Sequence, residues 1–127
     1  MSAHPKAQLD AIAFQLAATI ESYERHVEAL LVAWPDMERY RTVSEGIEEI
    51  RRYTSALPTV SVQFVALLIA HTELVHALWK QTNVPGQAAK QALVLAPARE
   101  QHGKCVAALR HKCRGLLRAT TEAGRKQ

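Results

Sequence analysis

The sequence is poor in residues that form binding loops and covalent cross-links. Its five glycines are scattered and form no phosphate-binding loop. Its two cysteines, Cys105 and Cys113, lie eight residues apart on one predicted helix. About 12 Å of helix separates them, which is too far for a disulfide. No apolar stretch follows a basic N-terminus, so no signal peptide is expected. Free thiols without a leader predict a bacterial-type cytoplasmic protein.

The net charge of +4 is unevenly distributed along the chain. Residues 1–98 carry eight basic and ten acidic side chains, whereas residues 99–127 carry eight basic and two acidic ones. The C-terminal segment therefore has a balance of +6, against −2 for the rest of the chain. A basic segment of this kind is typical of proteins that bind nucleic acid, and also of an ordinary solvated helix face.

Proline and glycine occur at a few points, and the stretches between them are rich in helix-forming residues. The first stretch predicts a helix from about residue 5 to Trp34, ended by Pro35. Its apolar residues alternate steps of four and three, which is a heptad pattern. This heptad row consists of Leu9, Ala13, Leu16, Ile20, Tyr23, Val27, Leu30 and Trp34. The pattern predicts either a helix packed inside a bundle or the face of a coiled-coil dimer.

Residues 59–80 form the most apolar stretch of the chain. An inner row at helical spacing consists of Phe64, Leu67, Leu68, His71, Leu74, Val75 and Leu78. A second row beside it consists of Val62, Val65, Ile69, Thr72, His76 and Trp79. Two apolar rows predict a helix that other helices bury most of the way round. The ionisable residues inside this stretch argue against a membrane span.

Two further helices complete the predicted fold. One covers residues 42–56 and begins either at the capping-box sequence of residues 42–45 or as early as Asp36. After a turn at residues 82–86, the last helix follows, and Pro97 is expected to kink or split it. Short links make consecutive helices antiparallel neighbours. The expected fold is one all-α domain over residues 1–127, an up-down-up-down four-helix bundle with residues 1–6 and 123–127 frayed.

Six histidines raise the question of a metal site. A di-iron carboxylate site in a helical bundle needs Glu-x-x-His on two helices, and the motif occurs once, at residues 73–76. His102, Cys105 and Cys113 are candidate zinc ligands, but a structural zinc site needs four. No metal or other cofactor is therefore predicted. His71 and His102 are expected to be neutral core residues with hydrogen bonds, and the two cysteines to act as small hydrophobic residues.

Residues 70–74, AHTEL, lie in the middle of a helix in a bundle of this size. They resemble the site of histidine-phosphotransfer domains, in which an exposed histidine is followed closely by leucine, lysine and glycine. Here the lysine and glycine are missing, and Glu73 would repel a phosphoryl group. The sequence around His76 matches the leucine and the lysine but also lacks the glycine. The resemblance implies a phosphoryl-accepting histidine and does not assign the chain to a family.

The absence of a catalytic pattern favours a non-catalytic protein-interaction or regulatory module that binds another protein, self-associates as a homodimer, or does both, and that binds no small molecule. One alternative is a nucleic-acid-binding protein that uses the basic C-terminal helix, and another is a metal- or phosphoryl-binding bundle that uses His71 and His76. The residues expected at an interface are two tryptophans near helix ends and the basic cluster of the last helix, namely Trp34, Trp79, Arg110, His111, Lys112, Arg114 and Arg118.

Overall fold

The computed structural model describes residues 5–83 and 88–125, with side chains for residues 7–81 and 93–118. Every element in these ranges is helical. The elements are α1 (Pro5–Ala33), α2 (Met37–Thr54), a short 3₁₀ turn (Pro58–Val60), α3 (Ser61–Asn83) and α4 (Ala88–Arg125). The prediction of an all-α fold with four helices is confirmed for the described part of the chain.

Two of the three consecutive helix pairs pack closely. α3 packs most extensively on α4, α1 packs on α2 and also on α4, and α2 contacts α3 very little. The heptad row of α1 is buried in this core from Ala13 to Leu30, whereas Leu9 is partly exposed and Trp34 lies just beyond the end of the helix. The coiled-coil dimer interpretation of this row is therefore wrong, because the chain's own helices cover it.

The first residues of α2 show which of the two predicted starts is correct. The Asp36 carboxylate accepts hydrogen bonds from the backbone N–H groups of Glu38 and Arg39, at 3.1 and 3.2 Å. An aspartate in this position caps the helix, because it satisfies backbone donors that have no partner in the first turn. The helix thus begins at Met37, and Thr42 lies inside it with its hydroxyl bonded to the Glu38 carbonyl.

α3 is buried on one side only, so the expectation of a helix enclosed most of the way round is wrong. The inner row faces the core, with Leu68 and Val75 at its edge. In the second row, Val62, Val65 and Ile69 keep 75, 52 and 56% of their surface exposed. The physical reason is the small contact between α2 and α3, which leaves this side of α3 without a covering helix.

Pro97 does not split the last helix. α4 runs as one element from Ala88 to Arg125 with Pro97 inside it, so the predicted split is wrong. Proline removes one backbone donor and disfavours a helix interior by about 3 kcal/mol. The extensive contact between α3 and α4 offsets this cost by holding the helix in place around the proline. Of the turn predicted at residues 82–86, residues 82 and 83 belong to α3, and residues 84–87 lie outside the described residues.

One segment among the described residues, Pro58–Gln81, is long and apolar enough to cross a membrane, with a mean hydropathy of 1.4. The core helix of a soluble protein passes the same test of length and composition. The finding is weak evidence for a span.

Candidate functional site

A polar cluster lies in the middle of the otherwise apolar core. The Tyr23 hydroxyl is 2.7 Å from His71 Nδ1 and 2.8 Å from His102 Nε2. The three side chains come from α1, α3 and α4, and all three are buried. A phenol has one proton to donate, so it donates to one imidazole and accepts an N–H from the other. This cluster, called the Tyr23 network below, joins three helices through a single oxygen atom.

The local sequence explains why the network forms at this level of the bundle. Tyr23 occupies a heptad-row position of α1, and His71 lies on the inner row of α3. α2 places Gly46 next to the tyrosine ring. A Cβ atom at that position would lie 3.2 Å from Tyr23 Cδ1, which is tighter than ordinary van der Waals contact. Glycine therefore lets α2 pack closely against the tyrosine ring.

Burial keeps every member of the network uncharged. The pKa of His102 is lowered to about 4, mainly by burial and to a smaller extent by the neighbouring His71, against an opposing effect of the Glu24 carboxylate. Burial likewise lowers the pKa of His71, against a smaller opposing effect of Glu48. Burial strongly raises the pKa of the Tyr23 phenol. At neutral pH the network therefore holds neutral imidazoles and a protonated phenol, which suits a structural role better than acid–base or nucleophilic catalysis.

His102 also reaches the base of a surface groove between α1 and α4, about 400 Å³ in volume. Two interhelical ion pairs border this region, Arg99 with Glu28 at 2.9 Å and Arg110 with Glu24. Both arginines are thus neutralised by carboxylates of α1. The groove offers mixed charges on its rim and no set of convergent, unpaired polar groups among the described side chains.

The two tryptophans predicted at an interface pack against each other. The Trp34 and Trp79 rings meet edge to face with centroids 5.0 Å apart, and Tyr40 completes the cluster at 6.4 and 5.9 Å from them. Edge-to-face contacts of this kind are favourable beyond the area that they bury. The cluster closes one end of the bundle, and both tryptophans remain half-buried.

The basic residues predicted on the last helix differ in their surroundings. Arg110 is half-buried in its ion pair with Glu24. The other four are exposed, and none forms an ion pair with any side chain that the structure describes: His111, Lys112, Arg114 and Arg118. These four side chains are available to an external partner, whereas Arg110 is engaged within the chain.

His71 and His76, the pair suggested for metal or phosphoryl binding, are not brought together. His71 faces the core and is bonded to Tyr23, while His76 is exposed in the second row of α3. Within the described residues, no group of three or more His, Cys, Asp or Glu side chains is arranged to hold a metal ion. His71 is also not exposed, unlike the histidine of a phosphotransfer site.

Sequence reasoning missed the most unusual surface of the molecule, the second row of α3. Its members follow steps of three and four, so Val62, Ile69 and His76 occupy heptad position a, and Val65 and Thr72 occupy position d. All five are exposed. The sequence contains this row as a second heptad pattern, but the pattern alone does not indicate that the row lies on the outside of the bundle. Trp79, the last member, is half-buried in the aromatic cluster.

Comparison with known proteins adds no relative. No protein-family model, no curated protein and no solved structure matches this chain.

Proposed function

We propose that the chain is a small, non-catalytic interaction module that self-associates through the second row of α3. The observation that carries the proposal is the exposed heptad pattern of this row, with three branched aliphatic residues at Val62, Val65 and Ile69. Branched apolar residues at a and d positions are the residues that pair helices. An exposed apolar row of this spacing favours a helical partner over solvent.

A second copy of the chain is the partner that the charge pattern favours. Residues 58–72 contain no Asp, Glu, Lys or Arg. Two such faces therefore meet without burying an unpaired charge, which would be costly. The neutral, hydrogen-bonded Tyr23 network supports a non-catalytic role, and the two buried free thiols support a reducing, cytoplasmic compartment.

Replacing Ile69 with lysine should abolish self-association. The substitution places an ammonium group in the middle of the apolar row, where pairing would desolvate it. Ile69 is exposed in the single chain, so the fold should keep its thermal stability. Sedimentation equilibrium should show a concentration-dependent dimer for the original chain and a monomer for Ile69→Lys. Val32→Lys is the matched control, since Val32 is 89% exposed on α1 and the charge change is the same.

Two results would contradict the proposal. One is a monomer at all concentrations for the original chain. The other is binding of the monomer to lipid vesicles that Ile69→Lys removes, since this would assign the row to a membrane surface rather than to a second copy. Equal dissociation of the dimer by Val32→Lys would mean that added charge, and not the row, is responsible.

Nucleic-acid binding through the C-terminal part of α4 is the second candidate. It is supported by the exposed basic residues, which form no ion pair with a described side chain and of which Arg114 and Arg118 lie one helical turn apart. Cations so spaced on one face suit contacts to successive phosphates of a nucleic-acid backbone. No aromatic side chain is interleaved with them, so the expected binding is independent of base sequence.

The salt dependence of DNA binding tests this candidate. Each phosphate contact contributes about 0.9 to the slope of log affinity against log salt concentration, so Arg114→Gln/Arg118→Gln should lower the slope by about 2 for a duplex of mixed sequence. Fluorescence anisotropy at several salt concentrations measures it. Arg41→Gln/Arg52→Gln removes the same charge from exposed positions on α2 and should leave the slope unchanged. Affinity that does not respond to salt would contradict the mechanism.

The order of the helices and a bend in α4 also belong to the proposal. We favour an up-down-up-down order of the four helices, with α4 bent at Pro97. The short links on either side of α2, and the packing of α1 on α2 and of α3 on α4, support this order.

A further inference from the structure

The second row of α3 also indicates how two copies pack against each other. This inference rests on the self-association proposed above. We infer that two α3 helices pair antiparallel, across a two-fold axis level with residue 67. In this arrangement Val65 of each copy packs beside Ile69 of the other, and Val62 packs beside Thr72 of the other.

The register follows from the heptad positions. In an antiparallel pair, a position a of one helix packs beside a position d of the other, so Val62 and Ile69 must face Thr72 and Val65. Two axes form four such layers from the exposed part of the row, but the axis between residues 70 and 71 places His76 in two of them, so we choose the axis at residue 67. It gives four layers made only of valine, isoleucine and threonine. An axis farther along α3 would use Trp79, which the aromatic cluster half-buries.

The charges at the C-terminal end of α3 oppose the parallel alternative. Glu73, His76 and Lys80 are all exposed on this side of the helix. A parallel pair sets each of them level with the same residue of the other copy and gathers the like charges at one end of the dimer, which disfavours the pairing. The antiparallel pair separates these like charges to opposite ends of the dimer.

The same charges favour the antiparallel arrangement. It brings Glu73 level with Ser61 of the second copy, in the first turn of that copy's α3. The N-terminus of a helix carries a partial positive charge and therefore attracts negative charge. Each Glu73 carboxylate therefore approaches a positive end of the other copy.

Cysteine cross-linking distinguishes the two orientations. The chain is prepared as Val62→Cys and, separately, as Thr72→Cys, and both positions are exposed, so the core is untouched. The two proteins are mixed at a concentration at which sedimentation shows a dimer, left to exchange, oxidised briefly and analysed by intact mass. The antiparallel pair should give the mixed Val62→Cys–Thr72→Cys disulfide. Neither variant alone should cross-link, because about 15 Å along the helix axis separates each new cysteine from its own copy, beyond disulfide reach.

Two controls accompany the mixture. The original chain, whose thiols are both buried, should give no cross-link. Adding Ile69→Lys to both variants should remove the mixed disulfide.

Each outcome decides one proposal. The mixed disulfide alone supports the antiparallel pair. Disulfides within each variant and none between them would overturn the antiparallel pair in favour of the parallel one, and self-association through this row would stand. A sedimenting dimer that gives no cross-link in any mixture would overturn the assignment of this face. A monomer at every concentration would overturn the proposed self-association itself.

Discussion

Replacing Tyr23 with phenylalanine should lower the free energy of unfolding by about 3 kcal/mol, because it leaves two buried imidazole nitrogens without a partner and each such group costs about 1–3 kcal/mol. The hydroxyl is the shared partner of His71 and His102. The phenylalanine ring fills the same space, so the loss isolates the hydrogen bonds from packing. Urea unfolding at pH 7 measures the change, and the melting temperature should fall by roughly 10 °C.

Tyr53→Phe is the matched control for this experiment. It removes the same atom from a half-buried tyrosine whose hydroxyl has no hydrogen-bond partner among the described residues. The control should alter the free energy of unfolding by less than about 0.5 kcal/mol, as expected of a substitution without a named destabilising mechanism. If Tyr23→Phe were no more destabilising than the control, the three side chains would not be bonded in solution and the core polar cluster would need another description.

The network shows what the sequence could and could not predict. Helical phase places Tyr23, His71 and His102 on buried rows, and the expectation of buried, hydrogen-bonded histidines at 71 and 102 is confirmed. Their common partner was not predicted, because it lies 48 and 79 residues away along the chain. Periodicity fixes which face of a helix a residue occupies, but not which residue of another helix stands at the same level.

The two heptad patterns show that periodicity also does not reveal which surface of the bundle is exposed. Both have the spacing that pairs helices. The row from Ala13 to Leu30 is covered by the chain's own helices, and the row containing Val62, Val65 and Ile69 is not. The spacing is nearly the same in both cases, so it could not tell an internal face from an external one. The two rows differ because α2 contacts α3 very little. The extent of that contact depends on the orientation of α2 relative to α3, which no local sequence pattern determines.

The stability of the protein should fall by about 3 kcal/mol as the pH decreases from 7 to 4, through His102 alone, since each pKa unit corresponds to about 1.4 kcal/mol. Burial holds the pKa of this histidine at about 4, against 6.5 for an unperturbed one. Between these two values the unfolded chain binds a proton at this position that the folded chain does not. Stability is therefore fully present above pH 6.5 and declines as the pH falls toward 4. His71 adds to the decline, because burial lowers its pKa as well.

His102→Leu tests the origin of this decline. The variant removes the titrating group and fills the space with an apolar side chain, while Tyr23 keeps its bond to His71. Its urea midpoint should depend less on pH between 7 and 4 than that of the original chain. His71→Leu should flatten the same curve in the same direction. His111→Leu, at an exposed position on the same helix, should retain the original pH dependence.

The test compares how steeply stability changes with pH in each variant, and not the absolute stabilities. Each core variant also changes packing, and that effect is the same at every pH, whereas the protonation effect is confined to the range between the folded and unfolded pKa values. Carboxylates such as Glu24 and Glu48, which oppose the shifts of the two histidines, remain in all variants. Parallel curves for the original chain and His102→Leu would mean that His102 titrates in the folded protein as it does in the unfolded chain, and its burial against Tyr23 would be wrong.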